Sequence, residues 1–494
     1  MPPRRRTATN ALLDRLDKET EVFSRDLTRE YYLNGAGLKE ELSLAPIFDQ
    51  HAQLFAEETV AAIRRADSED PRFSPLRAFV IEGYLENAAK GLSETLAARE
   101  TADTTTWQER EVPYRTLPVL TANEPDAERR HEIDALRIGL TAAQNSLREE
   151  RWDIVQATAR KLGYPHYVAL CDDVGRLGLE RLREQVTSFL WRSDGRYRSL
   201  LWRYLDGIGV APASAERSDL AYLFRSPQFD SQFPAERLLP SLTDTLRGLG
   251  IDLDAQRSVR LDTEARPLKS PRAFCAAIDI PDEVMLVINP HGGQDDYSAL
   301  LHEAGHAEHF AHADRRLPFA LRGLGDNSVT EGYAFILEHL MQNPAWLERY
   351  LGWSDSGEFV AFKQFHKLYI WRRYCVKLIY ELELHTADNP RSKAKRYCDL
   401  LTSSLGVRYN PADYLFDVDD GFYCARYLRA WMFEAQLRRH LQGEFGQEWF
   451  LRREAGARLI DLWSLGQSLP VEEFARKAGY AGLELTPLEQ ELTA

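Results

Sequence analysis

The chain contains 494 residues, enough for two or three core units at roughly 150 residues per domain. Apolar residues make up 44% and charged residues 28% of the sequence, as in an ordinary water-soluble protein. The net charge of -14 argues against nucleic acid as the main partner, because phosphate binding requires a basic face. The five cysteines have no paired spacing, which is typical of a reducing compartment and excludes a disulfide framework.

Neither a secretory signal nor a membrane span is expected. Three arginines lie near the N-terminus, and no apolar run follows them. No stretch approaches the roughly 18 consecutive apolar residues that a transmembrane helix requires. We therefore expect a cytoplasmic protein that has no membrane partner.

Helical periodicity covers the first half of the chain. Apolar residues recur at spacings of three and four, and a break at Asn34-Gly35-Ala36-Gly37 interrupts the first run. We assign 1–258 to an N-terminal helical lobe. Helices are predicted over 9–33, 45–65, 75–99, 126–163, 177–205 and 237–249.

The pattern changes near Val259, where three short strands are predicted over 259–262, 272–280 and 283–289. Pro281-Asp282 is a turn signal between the last two strands. The sequence indicates no other β region, and this one leads directly into the next helix. A peptide could pair its backbone with the edge of such a sheet; the alternative is a hairpin with a purely structural role.

The segment Leu301-His302-Glu303-Ala304-Gly305-His306 has the HExxH pattern in a predicted helix. Positions four apart lie on one helix face, so His302 and His306 can bind one metal ion, and Glu303 is placed to act as a general base on a water molecule. Zinc usually takes a third protein ligand. Glu331, 25 residues after His306, can supply it. We therefore predict one Zn²⁺ ion held by His302, His306 and Glu331.

Several of these residues have alternative interpretations. The short HExxH pattern also occurs by chance in helical proteins. Ser328 and Glu331 have the spacing of a capping box, in which the glutamate only closes a helix start. His309 is a rival ligand, but it lies about 10 Å along the axis from the first histidine, so we interpret it as support or packing. Asp295 and Asp296 are the expected N-cap candidates of the HExxH helix.

The helical pattern resumes after Glu331, and we assign 259–494 to a catalytic lobe. Tyr423 and Tyr427 are four residues apart, so they share one helix face and could stabilise an oxyanion. The alternative for such a pair is core packing with a hydroxyl hydrogen bond. Further helices are predicted over 359–384, 396–405, 421–443, 453–465 and 471–478.

Together these residues resemble the thimet oligopeptidase family, which includes neurolysin and the bacterial oligoendopeptidase F type. Residues 302–309 read HEAGHAEH and are similar to the family's HExGHxxH helix, and the step to Glu331 matches its third zinc ligand. Segments 159–164, 266–275 and 464–480 are similar as well. The resemblance implies a mainly α, elongated, two-lobed metallopeptidase. Its central channel would admit short peptides, and a small antiparallel β region would lie beside the active-site helix.

The resemblance also implies residue roles. The three predicted ligands would bind zinc, Glu303 would activate water, and Tyr427, with Tyr423 as a second candidate, would face the oxyanion from a flexible segment. This sequence departs from the family at one place. A histidine that precedes the tyrosines in the family is absent, and Asp417, Val418, Asp419 and Asp420 stand there instead. The family's glycine-rich loop is reduced to Gly421.

The function we expect is zinc-dependent hydrolysis of short peptides. One alternative is a metallocarboxypeptidase of the Taq carboxypeptidase type, which needs a basic residue to hold the substrate C-terminus. Arg408, Arg426 and Arg429 are available for that role. The other alternative is a non-catalytic helical scaffold that binds peptides. The complete set of two histidines and two glutamates argues against it.

Overall fold

The computed structural model describes residues 3–493. It is about 70% helical, which confirms the predicted mainly α fold. No helix within this range combines the length and the apolar character that crossing a membrane would take.

Each predicted helical segment is helical, although the runs 45–65 and 126–163 are divided into shorter helices and the helices at 117–123, 217–225 and 486–493 were not predicted. The α-helices are α1 (Pro3–Gly35), α2 (Ala45–Gln50), α3 (Glu57–Arg65), α4 (Phe73–Ala102), α5 (Leu117–Asn123), α6 (Ala127–Ala143), α7 (Asn145–Lys161), α8 (Tyr167–Gly175), α9 (Leu179–Gly207), α10 (Arg217–Arg225), α11 (Ala235–Gly248), α12 (Gln294–His312), α13 (Phe319–Arg322), α14 (Asn327–Glu338), α15 (Pro344–Leu351), α16 (Gly357–His385), α17 (Ala394–Leu405), α18 (Tyr423–Phe445), α19 (Arg453–Trp463), α20 (Val471–Lys477) and α21 (Thr486–Thr493). Short 3₁₀ helices lie at Ala52–Phe55, Tyr114–Thr116, Pro227–Gln232, His339–Gln342, Pro390–Lys393, Pro411–Tyr414, Asp420–Phe422 and Trp449–Leu451.

Five strands form two small sheets in the described range. The strands are β1 (Thr104–Trp107), β2 (Arg110–Pro113), β3 (Val259–Asp262), β4 (Phe274–Asp279) and β5 (Glu283–Val287). In the second sheet the order is β3-β5-β4, and β4 pairs antiparallel with β5, as predicted. The prediction of a purely antiparallel region was wrong for β3, which pairs parallel with β5. The antiparallel β1–β2 hairpin was not predicted.

The chain forms two compact units, and each is assembled from separate segments. The first unit contains 1–84, 228–361 and 429–490, and the second contains 85–227, 362–428 and 491–494. Residues 258 and 259, where the two predicted lobes meet, both belong to the first unit. The units are therefore composed differently from the predicted lobes.

Within the first unit, one face of the β3-β5-β4 sheet packs against α1, which explains why the N-terminal segment belongs to this unit. Ala276 and Ile278 of β4 point to one face and are buried against the end of α1 at Ala36. Helix α12 packs against β4 and β5 as well. The sheet thus supports α12, which carries the HExxH segment.

Helices α12 and α14 approach each other at backbone distance. A Cβ atom added at Gly305 of α12 would lie 2.4 Å from the carbonyl oxygen of Tyr333 and 2.6 Å from Cα of Ala334, both on α14. Any side chain at position 305 would push the two helices apart. The glycine inside the HExxH pattern therefore fixes the spacing of the helices.

We expect the Gly305→Ala variant to be less stable than the wild type. Alanine favours a helix interior by about 1 kcal/mol over glycine, but overpacking against a neighbouring backbone costs about 1–3 kcal/mol. Urea unfolding would measure the change. Gly443→Ala in α18 is the matched control, since its Cβ would meet nothing within 4 Å, and it should be neutral or slightly stabilising. Equal effects of the two substitutions would contradict the close approach.

Candidate metal centre

Three predicted ligands converge between α12 and α14. His302 and His306 lie one turn apart on α12, and their ring centroids are 5.0 Å apart. Oε2 of Glu331, in the second turn of α14, lies 3.4 Å from Nε2 of His302 and 3.7 Å from Nε2 of His306. Two atoms that each bind a tetrahedral zinc ion at about 2.1 Å are roughly 3.4 Å apart. The spacing therefore suits one zinc-sized cation.

The second nitrogen of each imidazole is held by a polar side chain. Nδ1 of His302 lies 2.9 Å from Oε2 of Glu338, and Nδ1 of His306 lies 2.8 Å from Oγ1 of Thr330. When Nδ1 donates its proton in these bonds, the lone pair of Nε2 faces Glu331. Such partners orient histidine ligands in metal sites and make them more basic.

The charges of the cluster favour a cation. Glu331 is only 5% exposed, so its carboxylate has little water to stabilise it. Burial alone would lower the pKa of His302, but its hydrogen bonds to Glu331 and Glu338 outweigh that effect and raise the pKa to about 10. Burial lowers the pKa of His306 to about 4. The two carboxylates thus favour positive charge at the point where the ligand atoms meet, and a divalent cation that displaces the second proton of His302 would supply that charge.

Glu303, the predicted general base, lies between the metal cluster and the sheet. Its Oε2 accepts a hydrogen bond of 2.8 Å from the backbone N–H of Cys275 on β4. Burial raises the pKa of Glu303 to about 7. Since β4 is an edge strand of its sheet, the structure brings a half-buried carboxylate and a strand edge together, as the sequence predicted.

His309 does not belong to the cluster. It is fully buried, its Nε2 lies 3.2 Å from the carbonyl oxygen of Gly466, and its ring packs 4.9 Å from that of Tyr333. Burial lowers its pKa to about 3, so it stays neutral. The interpretation of His309 as a packing residue is confirmed.

The structure excludes the alternative capping box at α14, and the predicted N-cap of α12 was wrong. The N-cap of α14 is Asp326, whose side chain accepts from the N–H of Ser328, so Ser328 does not form a capping box with Glu331. The N-cap of α12 is Gly293, and Asp295 and Asp296 fall inside its first turn. Because Asp326 caps α14, the carboxylate of Glu331 is not needed at that helix start.

Tyr423 and Tyr427 lie at the start of α18 and belong to the second unit. Both are half-buried, and their rings lie 5.0 Å apart in an edge-to-face arrangement. The ring of Tyr427 also lies 5.4 Å from that of Tyr374. The pair shares one helix face, as predicted, and its role towards an oxyanion stays a prediction.

The acidic run before these tyrosines is anchored by basic and hydroxyl groups of the second unit. Asp417 pairs with Arg373 and accepts a 2.9 Å hydrogen bond from Tyr397. Burial would raise the pKa of Asp417, but Arg373 and neighbouring cations outweigh it and lower the pKa to about 2. Oδ1 of Asp419 lies 2.8 Å from Nζ of Lys377. These aspartates therefore hold the segment that leads into α18.

The arginines considered for binding a substrate C-terminus have structural environments. Arg429 is 5% exposed and pairs with both Asp326 and Glu472 at 2.8 and 2.7 Å. Arg408 pairs with Glu216. Arg426 is 7% exposed. Two of the three guanidinium groups are thus already bound by carboxylates of their own units.

A second group of possible ligands lies in the second unit but suits a cation poorly. Glu381, Asp419 and Cys424 have potential ligand atoms within 4.8 Å of one another. The ammonium group of Lys377 already lies beside Asp419, and the thiol of Cys424 donates to Glu381 at 3.1 Å. Burial raises the pKa of Glu381 to about 8 and raises that of Cys424. A lysine and a protonated thiol thus take the place that a metal would need.

The roles of Thr330 and Glu338 as partners of the two histidines were not predicted from the sequence. Glu338 lies seven residues, or two helical turns, after Glu331, so it shares a face with the predicted ligand. That spacing was the available signal for Glu338. No such signal was available for Thr330, because the side chains of adjacent helix residues normally point to different faces, and Thr330 is adjacent to Glu331.

Neither protein-family models nor curated proteins gave a match to this chain.

Thr330→Val and Glu338→Ala should each weaken zinc binding about 10–100-fold, because a histidine ligand loses its orienting partner. Competition with a chelating dye would measure the affinity. Glu348→Ala removes an exposed carboxylate of α15 and serves as the control. Unchanged affinity in both variants would exclude the proposed orientation of the imidazoles.

Proposed function

We propose that the protein is a zinc-dependent peptidase that hydrolyses short peptides. The observation that carries the proposal is the convergence of the Nε2 atoms of His302 and His306 on the buried carboxylate of Glu331. Glu303 lies beside them and within hydrogen-bond distance of a strand edge. The resemblance to the thimet oligopeptidase family supports the same assignment.

The residues divide the chemistry as follows. When bound by the two histidines and Glu331, Zn²⁺ supplies positive charge that lowers the pKa of a water molecule. Glu303 takes a proton from the attacking water and passes it to the leaving nitrogen. The resemblance to the thimet oligopeptidase family implies that a hydroxyl from Tyr427, or from Tyr423, donates a hydrogen bond to the oxyanion.

The strand edge supplies a site for the peptide backbone. Cys275 lies on the edge strand β4, and its N–H already reaches the carboxylate of Glu303. A peptide that adds to this edge brings its backbone next to the general base. Main-chain pairing of this kind selects extended peptides by their backbone rather than by one side chain.

Glu303→Gln should retain about one zinc per chain and lose about 10²–10⁴-fold in turnover, since the amide still accepts the Cys275 N–H but takes no proton. Zinc content by atomic emission and cleavage of a peptide library would measure both effects. Asp295→Asn also removes one negative charge from α12; it is the control and should remain active. Near-normal turnover of Glu303→Gln would refute the assigned base.

Removing zinc with 1,10-phenanthroline should abolish cleavage, and added zinc should restore it. Peptides with amidated C-termini should be cut as well as free ones, because an endopeptidase does not need the terminal carboxylate. Mass spectrometry of the products would identify the bonds cut. Loss of all cleavage on amidation would favour a carboxypeptidase, and an absence of both zinc and cleavage would favour a binding scaffold.

Tyr427→Phe should lower kcat about 10²–10³-fold and leave KM nearly unchanged, since the hydroxyl acts on charge that develops only in the transition state. Steady-state kinetics on a defined peptide would measure both constants. Tyr423→Phe tests the second candidate, and Tyr222→Phe is a control on α10. If Tyr427→Phe matches the control, Tyr427 has only a packing role.

A further inference from the structure

A cavity of about 270 Å³ lies among residues of the second unit. Its walls come from α4, α7, α8, the end of α16 and the segment 415–420. The volume lies just below the range of cavities that hold drug-sized molecules. The cavity therefore suits a small ligand.

A guanidinium fork forms one wall. Nη1 and Nη2 of Arg151 donate to the two carboxylate oxygens of Asp420 at 2.9 and 2.7 Å, and Nε donates to Ser93 at 2.9 Å. The Asp420 side chain is 63% exposed, whereas that of Arg151 is 23% exposed. The planar guanidinium group can bind any carboxylate that accepts two parallel hydrogen bonds in this way. Since an exposed ion pair adds little stability, an incoming carboxylate can take the place of Asp420.

Two aromatic side chains of the wall, His385 and Trp152, carry buried ring N–H groups. Gln156 donates to the carbonyl oxygen of His385 at 3.0 Å and lies 3.4 Å from its Nδ1, while the amide oxygen of Gln156 accepts from Tyr167. This orientation makes Nδ1 of His385 the acceptor and leaves the ring proton on Nε2. Neither that N–H nor the indole N–H of Trp152 has a hydrogen-bond partner within residues 3–493. Both side chains line the cavity.

The remaining wall combines a second cation with apolar groups. Arg148 is 8% exposed and donates to Glu100 at 3.2 Å and to Gln144 at 2.8 Å. Leucine and valine side chains cover the space between the polar groups. They are Leu96, Val155, Leu415 and Val418. A bare inorganic anion would leave this apolar surface uncovered.

We propose that the cavity binds a small organic carboxylate with a compact apolar body. Its carboxylate takes the fork of Arg151 in place of Asp420, and its body lies against Trp152, Val155 and Leu415. The ligand meets the guanidinium groups of the wall with its acceptor oxygens, because an arginine is a donor only. No covalent step is involved.

The probe for this site is 4-fluorobenzoate, titrated into the full-length protein and followed by ¹⁹F NMR. Arg151→Gln should weaken binding at least 10-fold, because the fork is lost. Asp420→Asn should strengthen binding at least 3-fold, because the internal competitor becomes a weaker acceptor. A gain of affinity cannot result from misfolding. Arg181→Gln and Glu184→Gln, on exposed positions of α9, are the charge-matched controls.

Two further ligands separate charge from shape. 4-Fluorobenzamide keeps the body and lacks the charge, and inorganic phosphate keeps the charge and lacks the body; both should bind at least 10-fold more weakly than 4-fluorobenzoate. The proposal is overturned if Asp420→Asn behaves like Glu184→Gln. It is also overturned if the amide or phosphate binds as tightly as the carboxylate, or if no variant binds 4-fluorobenzoate.

Discussion

The arrangement of the candidate centre depends on one buried carboxylate. Glu331 is 5% exposed and lies within 3.4 to 3.7 Å of two imidazole nitrogens. A charged carboxylate withdrawn from water needs positive charge close by: burial alone would lower the pKa of His302, but its hydrogen bonds to Glu331 and Glu338 raise it. A divalent cation at the same point would satisfy the carboxylate more fully than a shared proton. Thr330 and Glu338 would then orient the two histidines towards that cation.

The position of this carboxylate follows from packing. Glu331 reaches the histidines only because Gly305 lets α12 and α14 come to backbone contact. Ion-binding chemistry and core packing are therefore not separable here. Gly305, which has no side chain, is as necessary to the cluster as the residues that carry the donor atoms.

The parts of the structure that were predictable are those set by local periodicity and by chemical type. HExxH is an i, i+4 pattern, and β5 is a short continuous apolar run after the turn signal Pro281-Asp282, so both could be predicted from neighbouring residues. Other features depend on distant partners. Strand β3 pairs parallel with β5, and no local signal distinguishes that from antiparallel pairing. The β1–β2 hairpin turns through Gln108 and Glu109 at φ 50 and 63, where a turn signal would normally contain asparagine or glycine. The N-cap of α14 is Asp326, two residues before the alternative capping-box position, and Arg429 from a distant part of the chain also binds it. The roles of His302, His306, Glu331, Glu303 and the two tyrosines remain predictions about chemistry.

The interleaved composition of the units has a consequence for biosynthesis. Most multi-domain chains fold from the N-terminus as each contiguous domain leaves the ribosome. Here the first unit is complete only after residues 429–490 have been made, and the ring of His309 meets Gly466 from that last segment. The part of the core that covers His309 is therefore made well after α12 itself. Helix α12 can therefore complete its packing only after more than a hundred further residues have been made.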